Sequence, residues 1–289
     1  MNTNYVIITD SNSELPLQFA KEHNVDYVPM PYVLDDEEVN YHLGEHTDFK
    51  DFYDKVRAGK MPNTSTYPPQ YYIEKLSPYL EDNKDILFIS FSSKLSSAFN
   101  YLSVACSQLQ EKYPDRKIYV VDTLRISAPM ALLVMDAFKK YHEGLPIEEL
   151  YQWIDANKLK YKVYFMVDDI NHLKRGGRVS PTVAAIGTML SIKPILTESD
   201  SGEIVKFLSE KGRRKAISKI TTLVSEEITE DKNAEILIIH ADSLSDAELM
   251  KKSICEKIDC ENVLMQNIGP VIGTHCGPGT LALAYKSKE

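Results

Sequence analysis

The sequence predicts an α/β protein of two domains, on two observations: short apolar runs stop at polar loops and hand over to helix-like stretches, and the chain is long for one core. Strands buried on both faces of a parallel sheet read as continuous apolar runs rather than as strict alternation. At 289 residues the chain reaches the size at which a single hydrophobic core stops growing and chains divide.

The first apolar run, Tyr5 to Thr9, ends at Asp10-Ser11. Next comes a hydroxyl-rich loop, Met61-Pro62-Asn63-Thr64-Ser65-Thr66, stiffened by Pro62 and by Pro68-Pro69, and a helix starting near Gln70. Ile86 to Phe91 ends at Ser92-Ser93 and leads into a helix from about Ala98 to Lys112; Ile118 to Val121 ends at Asp122-Thr123. Ligands of open α/β sheets bind outside the carboxyl ends of the strands, so these three loops are expected to share one crevice. A helical stretch follows Gly144-Leu145-Pro146, and a new strand at Val163 to Val167 places a second domain from about residue 160, giving an expected division of 1–160 and 161–289. The later strands are Ile192 to Leu196, Ile204 to Leu208, Ile236 to Ile239 and Val263 to Asn267, and an apolar run, Leu281 to Tyr285, follows the glycine-rich stretch 269–279. Ser201-Gly202 just before Ile204 marks an antiparallel hairpin, so the second sheet is expected to be mixed.

Charge and cysteine usage exclude several classes. With 42 acidic against 33 basic side chains the formal net charge is -9, which repels phosphate backbones and anionic lipid surfaces at long range and argues against a nucleic-acid partner. Cys106, Cys255, Cys260 and Cys276 form no CxxC pair, and no signal peptide precedes the first strand, so a reducing cytoplasm is the expected compartment. No apolar run approaches the roughly 18 to 20 residues that span a bilayer, so a lipid connection would run through a pocket or a surface.

Four stretches carry chemistry, each with a plain structural alternative. Ser92 to Ala98 stands where a strand hands over to a helix; there unpaired N–H groups and serine hydroxyls bind anions, and a serine equally caps the helix. In the second loop Thr64 or Ser65 can donate to a carboxylate, or serve an ordinary turn and cap. His275 lies among Gly273, Thr274, Gly277 and Gly279, a ligand-facing arrangement or a satisfied structural histidine in a tight loop. Lys174-Arg175-Gly176-Gly177-Arg178 resembles an anion-gripping turn, or a solvated basic one. Neither GxxxxGK[ST] nor GxGxxG occurs, so no ATP or NAD site and no cofactor are expected. The seven histidines are scattered without HExxH or a Cys/His cluster, and no metal is expected.

Taken in order, Thr9-Asp10-Ser11 with Leu15-Pro16, Thr64-Ser65, Ser93 to Ser96, Val121-Asp122-Thr123, Leu173 to Arg178, Lys193-Pro194-Ile195 and Gly269 to Gly279 resemble the DegV family, the fatty-acid-binding subunits of bacterial fatty acid kinase. The likeness runs along nearly the whole chain, and the ordered combination is far more specific than any one piece. It implies a two-domain α/β fold with a long-chain fatty acid in a buried tunnel at the domain junction. The carboxylate ligands would fall on Thr64 with Ser65, on Ser96 with the backbone beside it at Ser97, and on His275 with Gly273 and Thr274. The resemblance further implies a separate ATP-binding kinase subunit as partner, docking at Arg175 and its neighbour Arg178. The acyl phosphate made there would feed phospholipid synthesis, and a transient contact with a membrane surface fits that role. The chain departs from the family pattern at Leu95-Ser96-Ser97-Ala98, where leucine, serine, glycine, threonine is usual, and at Thr66-Tyr67-Pro68, where glutamine, proline, serine is common.

Two rivals stand beside this reading. One is a serine hydrolase with Ser96 as nucleophile, His275 as base and Asp10 or Asp122 as orienter; the GxSxG elbow is missing. The other is a carrier of a different hydrophobic acid.

Overall fold

The computed structural model describes residues 4–186, 192–259 and 262–288. In chain order the first part runs β1 (Tyr5–Asp10), α1 (Leu17–Glu22), β2 (Asp26–Val28), β3 (Met30–Leu34), β4 (Glu37–Tyr41), α2 (Phe49–Arg57), β5 (Asn63–Thr64), α3 (Pro69–Glu81), β6 (Asp85–Ser90), α4 (Ala98–Lys112) and β7 (Ile118–Asp122). Then come α5 (Ala128–His142), α6 (Ile147–Asn157), β8 (Tyr161–Met166), α7 (Asn171–Arg175), α8 (Pro181–Ile186), β9 (Ile192–Glu198), β10 (Ile204–Lys211), α9 (Arg213–Glu227), β11 (Ile236–His240), α10 (Leu244–Cys255), β12 (Val263–Asn267), α11 (Pro270–Cys276) and β13 (Leu281–Lys286).

Every strand expected from the apolar runs is present, and the sheets divide as their patterns predict. The parallel sheet has the order β2-β1-β6-β7 and draws only on residues before 123. The mixed sheet has the order β10-β9-β8-β13-β11-β12 and starts at residue 161; only β11 and β12 pair in parallel. Gly202 turns the β9–β10 hairpin with φ +86°, a conformation glycine adopts without the clash a Cβ would bring.

A third, antiparallel sheet of order β4-β3-β5 lies outside the sequence reading. Its strands are short, β4 is largely exposed, and Pro31 interrupts the apolar run of β3. The proline is tolerated because β5 pairs only with Tyr32 and Val33 beyond it. The hairpin signal that was present is Asp35-Asp36, both at positive φ (56° and 64°), the backbone that a two-residue hairpin turn requires.

The longest buried helix is α5, whose Ala128 to Met135 are buried without interruption. A helix apolar all round must be covered all round, and α5 packs on β8, β11 and β13. On the other face of the mixed sheet α9 and α10 close a second core with Ile217, Ile220, Met250 and Ile254. The first core is continuous from the parallel sheet, through α5, to Leu196, Leu237 and Ala284 of the mixed sheet. Cys106, Cys255 and Cys276 are free thiols; Cys260 lies outside the described residues.

The loops after β1, β6 and β7 are tied to one another at the carboxyl edge of the parallel sheet. Thr123 N–H donates to the Ser90 carbonyl (3.1 Å), and Ser127 N–H to that of Asn12 (2.8 Å). Ser93 N–H donates to the Asp122 carboxylate (3.2 Å). This edge faces the six-stranded sheet across α5, and the space left there is the candidate site.

Candidate functional site

A cavity of about 870 Å³ free of protein atoms, its opening included, lies between the two larger sheets. Most of its wall is apolar: Met30, Phe91 and Leu95 come from the first part of the chain, and Val163, Phe165 and Ile239 from the mixed sheet. All six are buried. Thr64, Ser96, Arg178 and His275 also line it but keep partial access to solvent, so they stand at an opening.

Each of these polar side chains is fixed by its element. Thr64 belongs to β5 and is registered against Tyr32 of β3. Neither Thr64 nor Ser65 caps the following helix; Pro68 occupies the N-cap of α3. Ser96 Oγ accepts from Ala98 N–H (3.2 Å), which sets the serine at the start of α4, where first-turn N–H groups lack intrahelical partners. His275 is in the last turn of α11, and its Nε2 lies 2.9 Å from Thr64 Oγ1. A Cβ on Gly176 would come within 2.5 Å of His275 Nδ1, so the glycine of the basic turn is what lets that turn close over the imidazole. Gly277, at φ +75°, stands likewise against the His172 ring, where a Cβ would sit at 2.4 Å. Gly176 and Gly277 thus serve close approach between the His275 segment and the chain's own 172–176 segment.

Burial, followed by the charges of Arg178 and then Arg175, holds the His275 pKa down at about 4. The imidazole is therefore neutral near pH 7 and carries one N–H donor and one acceptor nitrogen. Arg178 donates from Nε to the Leu95 carbonyl (3.1 Å) and from Nη1 to that of Gly176, which ties the basic turn to the Ser96 loop. The opening thus offers hydroxyls, a neutral imidazole and one guanidinium anchored to backbone: a donor-rich rim before an apolar interior, suited to an amphiphile with an anionic head.

Of the other sequence-derived residues, Ser65 also lines the cavity, whereas Ser97, Gly273, Thr274 and Arg175 do not. Ser65 reaches it while giving its hydroxyl to Glu38 Oε2 (2.8 Å). Ser97 is the exposed N-cap residue of α4, with no side-chain cap bond. Gly273 faces Tyr53, whose hydroxyl a Cβ would meet at 2.5 Å, and Thr274 donates to the Pro270 carbonyl (2.7 Å) inside α11. Arg175 is exposed, with Nη2 3.1 Å from His172 Nδ1, whereas Arg178, read from sequence as a docking residue, lines the cavity.

No relay for hydrolysis is assembled among the described residues. His275 is engaged with Thr64 rather than Ser96. Asp10 accepts from the backbone of Asn12 and Phe91, and Asp122 from that of Ser93 and Leu124.

Sequence reasoning missed a second polar set on the same wall: Asn12, after β1; Ser127, before α5; and Glu198, at the end of β9. The signal was weak, since a lone asparagine, serine and glutamate in loops or at a strand end are common anywhere. The Glu198 side chain is buried, and that burial lifts its pKa to about 8 against the opposing pull of Arg125. Although that guanidinium is 3.8 Å away, Arg125 spends its donors on the carbonyls of Tyr161, Leu124, Ser199 and Leu159. Glu198 instead accepts from Ile126 N–H (3.1 Å).

Fold and site together define an α/β protein with a mostly apolar cavity that opens at a donor-rich rim, and comparison with known proteins identifies its relatives. The DegV family model, described as one of uncharacterised proteins, matches residues 4–288, and the chain belongs to this family. A DegV domain-containing protein of Clostridium perfringens is 38% identical over 281 residues, covering 97% of both chains. Among solved structures, a DegV lipid binding protein of Thermotoga maritima is similar with a TM-score of 0.85 at 26% identity over 99% of both chains. The fatty acid binding DegV family protein of Streptococcus agalactiae gives 0.86 at 27% identity, again over 99% of both. DegV of Bacillus subtilis, a fatty acid binding protein, gives 0.83 at 27% identity, over 99% of this chain and all of its own.

Proposed function

We propose that this chain binds a long-chain fatty acid in the cavity, head group at the opening, and presents the carboxylate to a separate ATP-dependent kinase subunit. The observation that carries the reading is the Thr64–His275 pair, with Ser96 and Arg178 lining the same opening, at the mouth of a mostly apolar cavity. Relatives of the same fold described as fatty acid binding proteins support it.

Burying about sixteen carbons gains on the order of 10 kcal/mol at roughly 0.8 kcal/mol per methylene, enough to hold a sparingly soluble acid. A carboxylate drawn from water loses several kcal/mol of hydration unless several donors replace it. Thr64, Ser96, the start of α4 and a neutral His275 are those donors. Arg178 adds positive charge from the side while its own bonds remain on backbone carbonyls. A carboxylate held by neutral donors keeps lone pairs for attack on a phosphoryl group, which suits presentation to a kinase and no covalent chemistry in this chain. Arg175, exposed beside the opening, would meet that partner, and the acyl phosphate would enter phospholipid synthesis. Within this reading the division is 1–160 and 161–289, with the ligand at the junction.

The test is solvent extraction and mass spectrometry of protein purified from cells, alongside Thr64→Val, Ser96→Ala and His275→Ala. A co-purifying fatty acid, lost from the variants, is the expected result. Extracts free of any acid, or full retention in all three variants, would overturn the assignment.

A further inference from the structure

Asn12 Oδ1, Ser127 Oγ and Glu198 Oε2 are all buried without a hydrogen-bond partner among the described residues. All three residues line the one cavity. Asn12 is 4% exposed and Ser127 7% exposed, and the Glu198 side chain is 4% exposed. They form a single cluster, because Ser127 N–H donates to the Asn12 carbonyl and its neighbour Ile126 N–H donates to Glu198. A buried polar atom left unpaired costs about 1 to 3 kcal/mol, so three together in an apolar wall point to something they bind.

From this cluster we infer that the cavity takes a hydroxylated long-chain acid, whose chain hydroxyl bonds to Asn12, Ser127 and Glu198 while its carboxylate sits at the opening. The inference rests on the fatty-acid reading above and names the substrate class more narrowly. The charged end of the acid is placed at the opening, so the cluster meets its neutral chain. An apolar methylene would leave all three atoms unpaired. A keto group only accepts, and so leaves the Asn12 amide oxygen unanswered. A hydroxyl both donates and accepts: it gives its hydrogen to Asn12 Oδ1 and receives from Ser127 Oγ–H or from the protonated Glu198 carboxyl. The raised pKa of Glu198 keeps that proton in place near neutral pH.

The test measures dissociation constants for stearic acid and for a series of monohydroxystearic acids with the hydroxyl stepped along the chain. Wild-type protein is expected to bind at least one isomer about ten-fold more tightly than stearic acid, the gain of one well-placed buried hydrogen bond. Ser127→Ala and Glu198→Ala should each bring that ratio down to within about two-fold; Thr64→Val should weaken both acids and leave the ratio standing. The two cluster variants are independent readouts, and the wild-type series decides even if one fails to fold. If stearic acid binds as tightly as every hydroxylated isomer, or the preference survives in both variants, the inference is overturned while the fatty-acid reading stands. If no acid binds at all, that reading falls and the inference with it.

Discussion

The opening of the cavity and the cluster within its wall are both polar, yet they are built on opposite terms. At the opening, Thr64 and His275 already bond each other, Arg178 is tied to two carbonyls, and every member keeps some contact with solvent. Inside, the Asn12, Ser127 and Glu198 side chains are buried and each holds an atom with no hydrogen-bond partner among the described residues. Donors that are paired and partly hydrated can exchange their bonds for those of an anion at small loss. Buried groups that lack a hydrogen bond gain most from a guest that both donates and accepts. The difference assigns the charged end of a ligand to one place and a neutral hydroxyl to the other.

Variants at the opening test the larger half of that difference. Thr64→Val and His275→Ala each remove a donor to a charged group, about 1.5 to 3 kcal/mol, and should weaken a long-chain acid by roughly 10- to 100-fold in calorimetric titration. A loss that appears equally with the corresponding alcohol would erase the distinction between head group and chain. Next in size is the apolar wall: each methylene removed from a saturated acid should weaken binding about four-fold, following roughly 0.8 kcal/mol per buried methylene. A flat dependence on length would mean that the chain lies outside the cavity.

The fold was legible where burial leaves a continuous apolar signature. Ile86 to Phe91 and Ile236 to Ile239 could be read as strands because they are covered on both faces. β4 and β5 could not, being exposed or only two residues long and paired through distant partners. The site divides similarly. Thr64, Ser96 and His275 were marked by loop chemistry and by resemblance to a family, and the fold gathers them on one cavity wall. Ser97, Gly273 and Thr274 are neighbours of Ser96 and His275 in sequence, and helix geometry turns neighbours in different directions. Arg178 was visible as a basic residue of the turn, and folding places it on the cavity wall. Asn12, Ser127 and Glu198 carry no local signal, because what makes them unusual is the absence of partners after folding.

Proton binding separates the two places more finely. In ligand-free protein His275 should titrate near 4 by NMR, below its ordinary 6.5, and a bound carboxylate should move it upward, because a nearby negative charge favours the imidazolium. An unmoved midpoint would put the carboxylate elsewhere. Since the unfolded chain binds this proton between about 4 and 6.5 and the folded chain does not, His275 makes stability rise with pH across that window. Glu198 has the opposite sign. Its folded pKa of about 8 against an ordinary 4.5 means that the folded state holds the extra proton, so its contribution is fullest below 4.5 and is lost as pH rises through 8. Asp10 and Glu14, raised to about 7 and about 8 by burial, slope the same way. The informative quantity is therefore the difference between wild type and Glu198→Gln, whose denaturation curves should converge at low pH and separate as pH climbs toward 8. Parallel curves would show Glu198 to be ionised in the folded protein.

The most direct measurement is NMR of the protein bound to a fatty acid carrying ¹³C at its carboxyl carbon. Magnetisation should pass from the label to protons of Thr64, Ser96 and His275, and the carboxyl should remain ionised below the pH at which the free acid protonates. A label that instead contacts Ser127 and Ile126, or that titrates like the free acid in water, would contradict the account.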